Sequence, residues 1–134
     1  MTESVFYPTT EEILALHAAI IGVAESEVPA LVRDLNLLES ALARPQNEAA
    51  YESAGLSRQA GTLLWGIAKN HPFRDGNKRT AFVVMQVFLR ANGLTTVASE
   101  DDTYDLVIAV AQGDLDVDAV ERWIDQHLFV WLED

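Results

Sequence analysis

The sequence predicts an all-α fold: a compact single-domain helical bundle around a buried central helix. Three observations predict it. Apolar residues recur at helical spacing through most of the chain. Residues suited to helix starts, among them Thr9, Ser57, Ser99 and Asp116, stand ahead of those segments. Only Leu94–Ala98 reads as extended, which leaves about six helices and no sheet of any size.

The elements follow in order. Pro8 and Thr9 open a first helix, with Thr9 and Glu12 at capping-box spacing, Ile13, Leu16, Ile20 and Ile21 on one face, and Gly22 near its end. Residues 24–33 fit either a loop or a turn of helix around Pro29. Asp34 or Asn36 caps a short helix through Ala43, and Pro45 ends it. Residues 45–56 lack a period and read as a loop or small hairpin, a place where an acceptor segment could add as a strand. Ser57 caps a helix to about Asn70, in which Gly61 and Gly66 indicate close helix packing. A turn over residues 71–76 leads to a helix from Asn77, apolar nearly all round and therefore central, that closes at Asn92–Gly93. Ser99 and Asp102 start another helix, closed by Gly113. Asp116 or Asp118 starts the last, with Val120, Trp123, Ile124 and His127 inward. Trp65, Trp123 and Trp131 read as packing residues on helices, and His17 and His127 as helix-face residues. The acidic pairs Glu11–Glu12 and Asp101–Asp102 suit helix starts.

Composition narrows the function. At 134 residues the chain is one domain by length and buries roughly 68% of its unfolded surface. A net charge of −12 argues against holding nucleic acid through phosphate contacts, while leaving room for one nucleotide in a basic pocket. With no cysteine there is no disulfide, thiol catalysis or thiolate metal site, which suits a cytoplasmic protein. The start MTESVFYPTTEE lacks the pattern of a signal peptide, and the apolar run from Ile13 to Ala24 is too short to span a bilayer. There is no GxxxxGK[ST] loop and no GxGxxG.

The most informative run is HPFRDGNKRT, His71 to Thr80. Within residues 69–79, Lys69, Arg74, Lys78 and Arg79 face Asp75 alone, so an acidic chain concentrates cations beside one helix start. That start offers free N–H groups and the positive end of a helix dipole, which suits phosphate. Pro72 pushes His71 out of the α region. His71 is the candidate general base, since histidine ordinarily titrates at about 6.5. Asp75 can hold a divalent metal on a nucleotide, orient an incoming hydroxyl, or form the turn. Gly76, Asn77 and Lys78 lie where amides could form an anion nest, with Gly76 leaving room for close approach. Lys78 and Arg79 would neutralise phosphate charge, with Lys69 nearby, and Phe73 would anchor the loop.

HPFRDGNKRTA resembles the Fic/Doc family, whose Fic members carry HPFx[DE]GN-G-R-x-x-R. SALARPQ before the motif and FLRANG after it also look like Doc-type chains, and the similarity covers most of residues 7–130. Two positions depart from Fic proper: Lys78 stands for the Gly that admits the nucleotide phosphates, and Phe82 for the second Arg that holds the outer ones. The NKRTA form is that of Doc toxins. The resemblance implies a kinase that binds ATP in the reversed sense and moves its γ-phosphoryl group to a threonine of elongation factor Tu, arresting translation. It implies His71 as base, Asp75 on Mg²⁺, and Asn77, Lys78 and Arg79 on the phosphates. The inhibitory [ST]xxxE[GN] run of many Fic proteins is missing, so the resemblance implies inhibition by a Phd-like antitoxin whose tail folds into a groove. Two other readings stay open: an AMP or other nucleotidyl transferase, and an inactive nucleotide- or peptide-binding adaptor.

Overall fold

The computed structural model describes residues 4–132. Helix α1 (Thr10–Ile21) opens with the expected reciprocal cap: the Thr9 hydroxyl accepts from the Glu12 amide and the Glu12 carboxylate from the Thr9 amide, both at 3.1 Å. Gly22 ends it in the left-handed region. A 3-10 helix, Glu25–Leu31, resolves the first ambiguous segment. Among the described residues no single helix is long and apolar enough to cross a membrane.

Helix α2 (Leu35–Glu52), capped by Asp34, departs most from expectation. Pro45 does not end it. Leu38, Ala41, Leu42 and Pro45 form one buried face at helical spacing, so the proline ring belongs to the core stripe. The helix forgoes the bond that a residue 45 amide would make and gains burial of the ring. The helix then runs on through Glu48, Ala49 and Ala50, all tolerant of helix, to a left-handed Ser53. Residues 45–56 therefore contain no hairpin, and no strand edge is available there for an acceptor segment.

Helix α3 (Leu56–Asn70) starts just before Ser57, with Gly55 at its cap. It packs against α2, against α4 (Asn77–Ala91), α5 (Glu100–Ala111) and α6 (Val117–Gln126). Two glycines permit this. A Cβ on Gly66 would stand 3.0 Å from the Ala41 Cβ, and one on Gly61 would stand 3.4 Å from the backbone of α6. Arg58 ties the three helices at the rim by pairing with Glu48 on α2 and with Asp118 and Glu121 on α6. Helix α3 is thus the most enclosed element. Helix α4, as expected, is a buried central helix packed against α1, α3 and α5, while Phe82, Val83 and Gln86 on its remaining side face a cavity.

The extended stretch after Gly93 is β1 (Leu94–Thr96), paired antiparallel with β2 (Leu128–Val130), a strand the periodicity did not predict. Ser99 and Asp116 cap α5 and α6 as expected. Trp131 lies beyond β2 rather than on a helix, its amide bonded to the Gly93 carbonyl and its ring under the Arg90 guanidinium at 4.2 Å. Among the described residues the fold is all-α apart from this two-stranded ribbon.

Candidate active site

The turn between α3 and α4 is built from both ends. His71 closes α3 as its C-cap, with φ 52° and ψ 62°, so Pro72 does exclude it from the right-handed α region. Phe73 is buried, and Asn77 clamps it: Phe73 N–H donates to Asn77 Oδ1 at 2.9 Å, and Asn77 Nδ2 donates to the Phe73 carbonyl at 2.8 Å. Asp75 Oδ1 accepts from the Gly76 amide at 2.8 Å. Gly76, at φ 74°, is the N-cap of α4, a role expected of Asn77. The first intrahelical bond runs from Thr80 to Gly76, so the amides of Asn77, Lys78 and Arg79 lie ahead of it and form the helix's free donor end.

A segment that the sequence left undefined braces this turn. Val32 bridges Phe73; the Arg33 and Asp34 amides both donate to the Pro72 carbonyl; and the Arg74 amide donates to Leu31. Arg74 Nε donates to the Ala30 carbonyl, which directs this cation at the brace.

The floor of the turn is His17, fully buried on α1. Its ring stacks on Phe73 with centroids 3.7 Å apart, and its Nδ1 lies 2.9 Å from the Thr80 hydroxyl. Burial pushes its pKa below the ordinary histidine value, and the Asp75 carboxylate partly offsets this. A Cβ on Gly76 would stand 2.6 Å from Ile21 Cδ1 and 3.4 Å from His17 Cε1. The absent side chain therefore makes room toward the floor, where the sequence reading had placed the benefit at the ligand.

Above the turn opens a cavity of about 890 Å³, within the size range of nucleotide and drug sites. Asp75, Gly76, Asn77, Lys78 and Arg79 form one end, and Phe82, Val83, Val97, Tyr104 and Val107 give it apolar walls. The structure thus brings together five of the candidate residues. His71, half-buried, stands at the far end of the same turn and Phe73 lies beneath it; neither lines the cavity. Lys69 does not line it either. Its Nζ reaches the turn after α5, 3.0 Å from where a Gly113 Cβ would sit. The cavity's third cation is Arg90, which the sequence reading passed over. Arg79, Gln86 and Arg90 are seven and eleven residues apart along α4, spacings that return to one helix face, so the signal was present.

The sequence profile of the Fic/DOC family matches residues 7–89, well over half the chain, and the match includes the whole turn. The chain belongs to the Fic/DOC family. Its relatives include Toxin Doc of Mycolicibacterium smegmatis (strain ATCC 700084 / mc(2)155), 41% identical over 93 residues, which covers 66% of this chain and 72% of the relative. Protein kinase doc of Escherichia phage P1 is 35% identical over 111 residues, covering 82% and 86% respectively. Within this Fic/DOC chain, the two positions that depart from the Fic pattern, Lys78 and Phe82, both face the cavity.

Proposed function

We propose that this protein is the toxin of a toxin–antitoxin pair and acts as a protein kinase, moving the γ-phosphoryl group of ATP to a threonine of elongation factor Tu in the cytoplasm. The relatives named Toxin Doc and Protein kinase doc support the class. The observation that carries the choice of phosphoryl over AMP transfer is the placement of Lys78 and Phe82 on the cavity wall. Lys78 adds a cation where Fic enzymes keep an open glycine, and Phe82 removes the second arginine that would hold outer phosphates at that wall.

Phosphoryl transfer asks mainly for positioning and charge neutralisation. The first amides of α4 with Lys78 and Arg79 receive phosphate oxygens, with Arg79 able to do so bidentately. The acceptor hydroxyl attacks the γ-phosphorus while His71 takes its proton; the bond between the γ-phosphorus and the bridging oxygen breaks, and ADP leaves. Phe73, stacked on His17, anchors the turn. Asp75, a hard oxygen donor at the turn end of the cavity, would meet Mg²⁺ carried by the nucleotide. Bound there, Mg²⁺ would neutralise phosphate charge. The apolar walls and three cations of the cavity would also receive the folding tail of a Phd-like antitoxin if that tail carries apolar and acidic side chains, and such a tail would exclude ATP. Expression without an antitoxin tests the proposal: growth should stop, His71→Ala should relieve the arrest, and one phosphorylated threonine should appear on elongation factor Tu. Arrest with that factor unmodified would overturn the assignment of the acceptor.

A further inference from the structure

Asn77 clamps the middle of the turn at Phe73, and a second side chain grips its start, where His71 sits. Arg33, an exposed residue between the 3-10 helix and α2, donates from Nε to the His71 carbonyl and from Nη2 to the Asn70 carbonyl, both at 2.7 Å. These two carbonyls belong to the end of α3, where the chain leaves the helix and acceptors lack intrahelical partners. A planar guanidinium spans two such acceptors with one fork, which an ammonium does less well.

The fork sits where the backbone most needs fixing. His71 is one of two non-glycine residues with positive φ among those described, and a proline follows it. Its amide donates to Ile67, and its carbonyl accepts from Arg33 Nε. The next carbonyl, of Pro72, takes the amides of Arg33 and Asp34. One residue thereby grips the turn by its backbone and its side chain together.

We infer that Arg33 is a positioning residue for His71: its guanidinium, forked onto the Asn70 and His71 carbonyls, holds His71 in the left-handed conformation from which the imidazole reaches the acceptor hydroxyl. The inference rests on the phosphotransfer reading for its kinetic consequence. Its structural half stands by itself.

Because Arg33 is exposed, Arg33→Ala should fold. Transfer would be measured for the wild type, Arg33→Ala and Arg33→Lys, with and without guanidinium at sub-denaturing concentration. Alongside, amide exchange would be followed at His71 and Arg74 and thermal unfolding recorded. In Arg33→Ala, kcat should fall by about 10- to 100-fold, as a small misplacement of a reacting group does. The KM for ATP should stay within about twofold, since the phosphate contacts on α4 are untouched. Both amides should exchange at least about tenfold faster, and guanidinium should restore rate and protection together. Arg33→Lys should fall between the two. Unchanged kcat in Arg33→Ala would overturn the inference, and so would a loss matched by general destabilisation that guanidinium does not restore. A wild type that transfers no phosphate would refute the kinase reading instead; the exchange data with guanidinium rescue would then decide the anchoring alone.

Discussion

Replacing Gly76 by alanine separates two costs that the structure places on one atom. The first is conformational. Gly76 sits at φ 74°, and the left-handed region costs a residue with a Cβ about 1–2 kcal/mol. The second is steric. The new Cβ would stand 2.6 Å from Ile21 Cδ1, the end of a half-buried side chain that must swing aside, so the cost is at the low end of overpacking, about 1 kcal/mol. Gly76→Ala should therefore lose about 2–3 kcal/mol in urea unfolding. Ile21→Val removes that same Cδ1 and alone should cost about 0.5–1.5 kcal/mol. In the double variant the nearest remaining atoms, His17 Cε1 at 3.4 Å and the Cγ1 of residue 21 at 3.5 Å, lie at ordinary contact, so the steric cost should vanish and the conformational cost remain. The two substitutions should thus couple favourably by about 1 kcal/mol. Strict additivity, or a Gly76→Ala loss below about 0.5 kcal/mol, would refute the reasoning that the glycine serves the floor of the turn.

Other perturbations follow from the same geometry. Asn77→Ala orphans the buried amide and carbonyl of Phe73 and should cost about 2–4 kcal/mol in the same unfolding assay; a loss under about 1 kcal/mol would mean the clamp is not formed in solution. His17, with its pKa depressed by burial, takes up a proton more readily in the unfolded chain than in the folded one. Stability should therefore be fully present above about 6.5 and fall as pH drops from there toward the lower folded-state value. His17→Phe keeps a ring on Phe73 and should flatten that part of the profile, so an unchanged slope would remove His17 as its source. Arg79→Ala should weaken ATP binding by calorimetry about 10- to 100-fold, the worth of one charge-assisted contact, with little change in melting temperature. Equal affinity would place the phosphates elsewhere.

Most helix starts were legible because caps are local chemistry. Thr9 with Glu12, Asp34, Ser99 and Asp116 each satisfy an amide within their own turn. Pro45 misled because its cost is local while its compensation, burial against the core, is tertiary. The same gap hid β2, whose partner lies more than thirty residues away, and the brace over residues 30–34, which has no period and gains its meaning only by pairing with Phe73. The motif was legible as a group, but its division of labour was not. Lys69, expected near the anion, reaches the turn after α5, and Arg74, one of the cations crowded at the turn, bonds Ala30. Arg90 was the converse case: it was readable from helical spacing yet lay eleven residues beyond Arg79.

The proposed delivery of the terminal phosphoryl group of ATP from this cavity has a direct test. The direct measurement incubates the antitoxin-free protein with Mg²⁺ and elongation factor Tu, using γ-labelled and α-labelled ATP in parallel. Label should reach the factor from γ alone, at a rate reduced by roughly 10²–10⁴ in His71→Ala. Label from α would contradict it and make the protein an AMP transferase despite Lys78 and Phe82.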